Sequence, residues 1–165
     1  MLSILLALVS VTARPPISAA HPPPVVVVQR VISTPTVALL HGIAKLTPQE
    51  AVMKAADAAP HGVYGVFELA VRRAELVGTD FFLNSQDDYR DPRNLSVEIG
   101  PIAQEALRNR LGQDLDKALK GHTIRVLGYA HTVRIDFMSD GKPSGKYYFQ
   151  THVPVGSANQ IELAD

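Results

Sequence analysis

The sequence predicts a mainly β domain: a small five-stranded antiparallel barrel, with one helix between strands three and four and an extra helix on the amino-terminal side. Three observations point there. Residues 80–99, DFFLNSQDDYRDPRNLSVEI, set two short apolar runs around a connection rich in Asp, Arg, Asn and Pro, which reads as a β-hairpin with an elaborated loop. Two long runs of β-forming residues, 63–76 and 123–138, each contain one interior glycine, Gly65 and Gly128, as strands do at a bulge or a barrel corner. Between the hairpin and the second long run, residues 101–112 open on Pro, close on Gly and carry apolar residues at helical spacing.

The elements follow in order. Residues 1–20 read as a secretory signal, with an apolar run at 4–11 and small residues Ser18 and Ala20 before an expected cleavage ahead of His21. The run is too short for a membrane span. Residues 21–46, rich in Pro and Val, are either an extended tether or an added edge segment. The domain proper is expected over 47–165. Thr47-Pro48-Gln49-Glu50 has the form of a capping box with Pro at the first helical position, so a helix should run from 48 to about 58, with Val52, Ala55, Ala56 and Ala59 on its apolar face.

Strand one is 63–76, strand two 80–85 and strand three 95–99, with Leu95, Val97 and Ile99 inward and Ser96 and Glu98 outward. The helix from Pro101 should bury Ile102, Ala106, Leu107 and Leu111 and leave Gln104, Glu105, Arg108 and Arg110 to water, and residues 115–119 should add a turn. Strand four is 123–138, strand five 146–155, with turn residues 139–145 between them. In strand five, Tyr147 and Phe149 are expected in the core and Tyr148 outside it.

Composition excludes several functions. Lys plus Arg and Asp plus Glu are both 16 in 165 residues, so no overall field draws the chain to nucleic acid or anionic lipid. There is no Cys, hence no disulfide, thiolate metal site or Cys nucleophile. No Gly-x-Ser-x-Gly, Walker or dinucleotide-binding pattern occurs. Neither a catalytic residue nor a cofactor is called for, and an enzyme is not expected.

Phe82-Leu83-Asn84, the run GHTIRVLG at 121–128 and the closing Gln160-Ile161-Glu162 resemble the layout markers of small bacterial exported OB-fold domains, and the resemblance covers roughly 63–163. An SH3-like barrel or a small α+β sheet is the structural rival. The resemblance implies a five-stranded Greek-key barrel and a binding surface on the outer face of strands two and three. On this sequence that face offers Phe82, Asn84, Ser96, Glu98 and the exposed Tyr148, with Arg72, Arg73, Lys142 and Lys146 at its rim.

The expected function is therefore a non-catalytic binding module, secreted or periplasmic, for an oligomeric polar ligand or a protein partner. Weak single-stranded nucleic-acid binding is the alternative. From Val63 onward acidic residues outnumber basic ones, against the positive track such binding uses. The cluster Asp87, Asp88, Asp91 has hard-cation ligands but no EF-hand spacing, and Arg90 and Arg93 neutralise it locally, so a self-paired loop is the favoured reading and no metal is assigned. His131 and His152 should meet across strands four and five, two ligands where a catalytic zinc uses three.

Overall fold

The computed structural model describes residues 44–112 and 114–164. The expected signal segment and residues 21–43 of the Pro- and Val-rich segment lie outside these. The last residues of that segment, Lys45–Leu46, form β1, a two-residue edge strand parallel to β2 (Val63–Ala70). Between them α1 (Pro48–Asp57) starts as its sequence demands: Thr47 accepts from the Glu50 backbone N–H, and Glu50 accepts in return from the Thr47 N–H at 2.8 Å. Its buried face is Ala51 and Ala55 rather than the wider one expected, and both alanines belong to the main core.

The remaining strands are β3 (Arg73–Val77), β4 (Asp80–Asn84), β5 (Leu95–Ile99), β6 (Thr123–Ser139), β7 (Lys142–Val155) and β8 (Ile161–Leu163), with α2 (Pro101–Leu111) and α3 (Leu115–Leu119) between β5 and β6. They make a mixed sheet of order β1-β2-β6-β7-β5-β4-β3, with β8 also on β6. Two expectations are corrected here. The sheet is not wholly antiparallel, since β5 runs parallel to β7. The single long first strand is two strands, broken at Val71 and Arg72. There the chain changes partners: Val71 N–H donates to His122 O beside β6, and Arg72 N–H to Asn84 O on β4.

The core lies under this sheet and is closed by the helices. Leu83, Val97, Ile99 and Val126 are fully buried, as the period-2 pattern requires, together with Phe67, Leu107 and Val153. Gly128 sits where β7 crosses closest: a Cβ there would lie 2.9 Å from Val153 Cγ1, so no larger residue fits without moving the stiff valine. Gly112 ends α2 in the left-handed region, φ 68°, which explains the stop.

Helix α2 is rotated from its expected setting. Ala103, Gln104 and Leu107 are buried, while Ile102 is 81% exposed. Gln104 is buried because its amide NH2 bridges Thr79 O (2.7 Å) and Ile99 O (2.8 Å), tying the helix to the β3–β4 turn and the end of β5. Arg110 stays exposed, as expected, while its guanidinium donates to Ala158 O and Ile161 O. An apolar-spacing count cannot see polar side chains that satisfy backbone carbonyls.

The last correction concerns β7. Phe149 and Tyr147 do share a face with the buried Thr151, Val153 and Val155, so the alternation is right, yet they are 57% and 51% exposed. The residues of β7 before Thr151 pair only with β6, as a two-stranded arm that runs past the body. The inward face there has nothing to face. Instead the rings pack on each other, and the Arg134 guanidinium lies 4.1 Å over Tyr147. The strand also begins four residues earlier than expected, the turn shrinking to Asp140 and Gly141.

Candidate functional site

Register assembles the outer face. One row runs Arg73, Asn84, Ser96, His152 and His131 across β3, β4, β5, β7 and β6. The next places Glu75 beside Phe82 and Phe82 beside Glu98, and on the arm Ile135 sits opposite Tyr148. Successive residues alternate sides, so these side chains all emerge on the face away from the core. All of these except His131 and Glu98, together with Tyr89 from the β4–β5 loop and Gln150 from β7, line a cleft of about 350 Å³.

The cleft's floor and one wall are held by a buried amide network. Asn94, 2% exposed, accepts from Gln86 N–H with Oδ1, which fixes its orientation, so its NH2 faces Asn84 Oδ1 (2.8 Å), Ser96 Oγ (2.9 Å) and Tyr89 O (3.3 Å). Ser96 Oγ donates to the same Asn84 Oδ1 at 2.6 Å. A short chain of donors continues along the opposite side: Gln150 NH2 donates to Tyr89 O (3.0 Å) and Tyr148 Oη (3.2 Å), leaving its Oε1 to accept from His152 Nε2 at 2.8 Å. The Tyr89 carbonyl is thus gripped from both sides, which positions its ring as the wall.

Charge in the cleft is internally compensated. Arg73 pairs with Glu75 at 2.7 Å and lies 5.3 Å over the Tyr89 ring, with Arg90 at 5.1 Å from the same ring. Outside the cleft, Asp88 and Asp91 each cap a backbone N–H two residues on, and the Arg93 guanidinium holds the Asp91 carboxyl down at about 2. Arg93 therefore pairs within its own loop, with Asp91. No three His, Asp or Glu side chains converge on a possible metal position among the described residues.

His152 is buried against Phe82, ring centroids 5.8 Å apart, with Nδ1 3.1 Å from Glu98 Oε2. Burial pushes its pKa down; the Glu98 hydrogen bond and charge pull the other way without overcoming it, and His131 opposite adds to the lowering. A depressed histidine stabilises the fold most above its unfolded value near 6.5, and that contribution is lost as pH falls through the folded value. The expected result is a His152 titration below about 6.5 in a proton NMR pH series, shifted lower still by Glu98→Gln, which removes the counter-charge. A midpoint unchanged in Glu98→Gln would show that the contact does not exist in solution.

Of the residues expected at the site, Phe82, Asn84, Arg73 and Tyr148 come together in the cleft. Arg72 does not: it lines a separate depression with Asp87, Lys120 and Gly121, because the break after Val71 turns it away. Lys142 and Lys146 are exposed near the tip of the arm and do not line the cleft. Sequence reasoning missed Tyr89, Gln150 and the ligand-free part of His152's role. The pairing of β5 with β7 brings them in, and only its parallel register would have revealed them.

No family model matches the chain, and no curated protein matches it. Among solved structures, a Leishmania major Friedlin protein described as an aspartyl-tRNA synthetase is similar over 74% of this chain and 21% of its own, at 10% identity and a TM-score of 0.41. A likeness at that level carries no argument about what this chain does.

Proposed function

We propose that the protein is a non-catalytic, OB-fold-like binding module acting outside the cytoplasm, and that the cleft is where it binds a neutral polar ligand. The observation that carries the reading is the cleft itself: side chains from five strands and a loop, with the aromatic and amide groups of Phe82, Asn84, Tyr89, Tyr148 and Gln150 among them, held by a hydrogen-bonded network and with its one arginine already paired. Strand connectivity supports the fold. If residues 63–77 count as one bent strand, pairing runs one to two to three to five to four and back to one, the order of an OB barrel with its helix after strand three. The non-catalytic reading rests on the engaged groups: Ser96 Oγ donates to Asn84, and His152 Nε2 donates to Gln150 Oε1 with the Glu98 carboxylate 3.1 Å from Nδ1.

The ligand should bind with little salt dependence. Phosphate-led binding to single-stranded nucleic acid would instead weaken steeply between low and high salt, and such a slope in a ligand screen at two salt concentrations would replace this reading with the nucleic-acid one. Export rests on the leader-like residues alone. Amino-terminal sequencing of the protein made in a bacterial host with an export pathway should begin at His21; an intact Met1 would reject export.

A further inference from the structure

The hydrogen bonds around the cleft leave two groups over, and both are donors. Asn94 is oriented by the Gln86 N–H, and it forces Asn84 to present its oxygen to the network; the Asn84 NH2 is therefore the end turned away from it. Asn84 is 1% exposed and lines the cleft, and the hydrogen bonds of the network use its oxygen and leave its amide nitrogen out. Tyr148 is the second. Its oxygen accepts from Gln150, whose NH2 can only donate, so the phenolic hydrogen is free. Burial pushes the phenol up, so it keeps that hydrogen at neutral pH.

Acceptors are in short supply on the same surface. The oxygens of Asn84, Gln150 and Ser96 each already accept from a neighbour within the network, and the Glu75 carboxylate, the remaining side-chain acceptor at the rim, is held by Arg73 at 2.7 Å. A ligand hydroxyl brings a donor as well as an acceptor, and a buried donor without a partner is costly. A carbonyl brings acceptance only. The rings add a second restriction: the Arg73 and Arg90 guanidinium groups already lie over Tyr89, and Phe137 packs against Tyr148 with ring centroids 5.3 Å apart, so Phe82, with only the edge of His152 against it, is the aromatic surface for a ligand. A flat base gains most between two open faces, whereas the C–H edges of a saturated ring need only one.

We infer that the cleft takes an uncharged, carbonyl-bearing saturated ring, of which an N-acylated sugar is the class, with the acyl oxygen accepting from Asn84 Nδ2 and Tyr148 Oη. This deepens the binding-module reading and rests on it. The test uses the isotope-labelled full chain, titrated by NMR with N,N′-diacetylchitobiose and, separately, cellobiose, which has hydroxyl groups where the first has acetamido groups.

The expected result is a shift of the Asn84 side-chain amide signals with the acetylated sugar and affinity on the order of tenfold above cellobiose. Tyr148→Phe should remove most of that preference while leaving cellobiose binding unchanged; Asn84→Asp should do the same wherever it folds, and Tyr148→Phe keeps the test decisive where it does not. Equal affinity for the two sugars at the cleft would overturn the acyl inference and leave the binding module standing. Failure of both sugars to perturb the cleft would also overturn the inference, and the two-salt screen then decides the broader reading separately. Tighter binding of uridine, a carbonyl on a flat ring, with the same loss in Tyr148→Phe, would overturn the sugar class.

Discussion

Val97→Asp should leave the protein unfolded at neutral pH, while Ile102→Asp, the same kind of change five residues on, should alter stability by less than about 0.5 kcal/mol. Val97 is fully buried at the centre of the sheet, with Leu83 on one side and Val153 on the other. A carboxylate there loses the valine's packing and has no cation to pair with, a cost on the order of 4 kcal/mol or more. That is most of the stability of a domain at the lower end of the typical range of about 5 to 15 kcal/mol. Ile102 stands 81% exposed in the first turn of α2, where a negative charge meets the positive end of the helix dipole. Circular dichroism melts of the two variants decide it. Comparable losses would mean that α2 docks through Ile102, as its apolar spacing suggested, and that the rotation described above is wrong.

The contrast also shows what kind of information the chain displays in one dimension. Local rules were legible: the Thr47–Glu50 capping box is made in both directions, β5 begins and ends on the residues its alternation marks, and Gly112 stops α2 with a positive φ. Facing was legible only where a core stands behind it. Tyr147 and Phe149 obey the alternation of β7 and are nevertheless in water, because the distance a strand projects past its neighbours is a tertiary quantity. Glu98 faces outward as expected but is engaged with His152, a contact created by the parallel pairing of β5 and β7 that no local pattern announces. The candidate site was half visible for the same reason. Phe82 and Asn84 sit on a recognisable strand, whereas Tyr89 looked like one more polar loop residue.

Asn94→Ala should cost about 3 kcal/mol and open the cleft, whereas Arg93→Ala, next to it and with the more conspicuous ion pair, should cost far less. The loop's charges were the obvious candidates for ordering it, but they are at its surface: Arg93 is mostly exposed where it meets Asp91, and Arg90 stands 4.0 Å from Asp88 in solvent. Exposed pairs gain little because water competes for both partners. Asn94 is the opposite case. Its amide satisfies the Gln86 N–H and donates to Asn84 and Ser96 in a region water does not reach, so truncation strands several groups at once. The same change frees the Tyr89 carbonyl from one of its two donors, and ligand affinity should fall with stability. Chelator should leave the wild-type melting temperature where it is, since the ordering force is an amide and not a cation. An Arg93→Ala loss as large as that of Asn94→Ala, or calcium-reversible destabilisation by chelator, would return the loop to its carboxylates and take the amide network out of the account of the site.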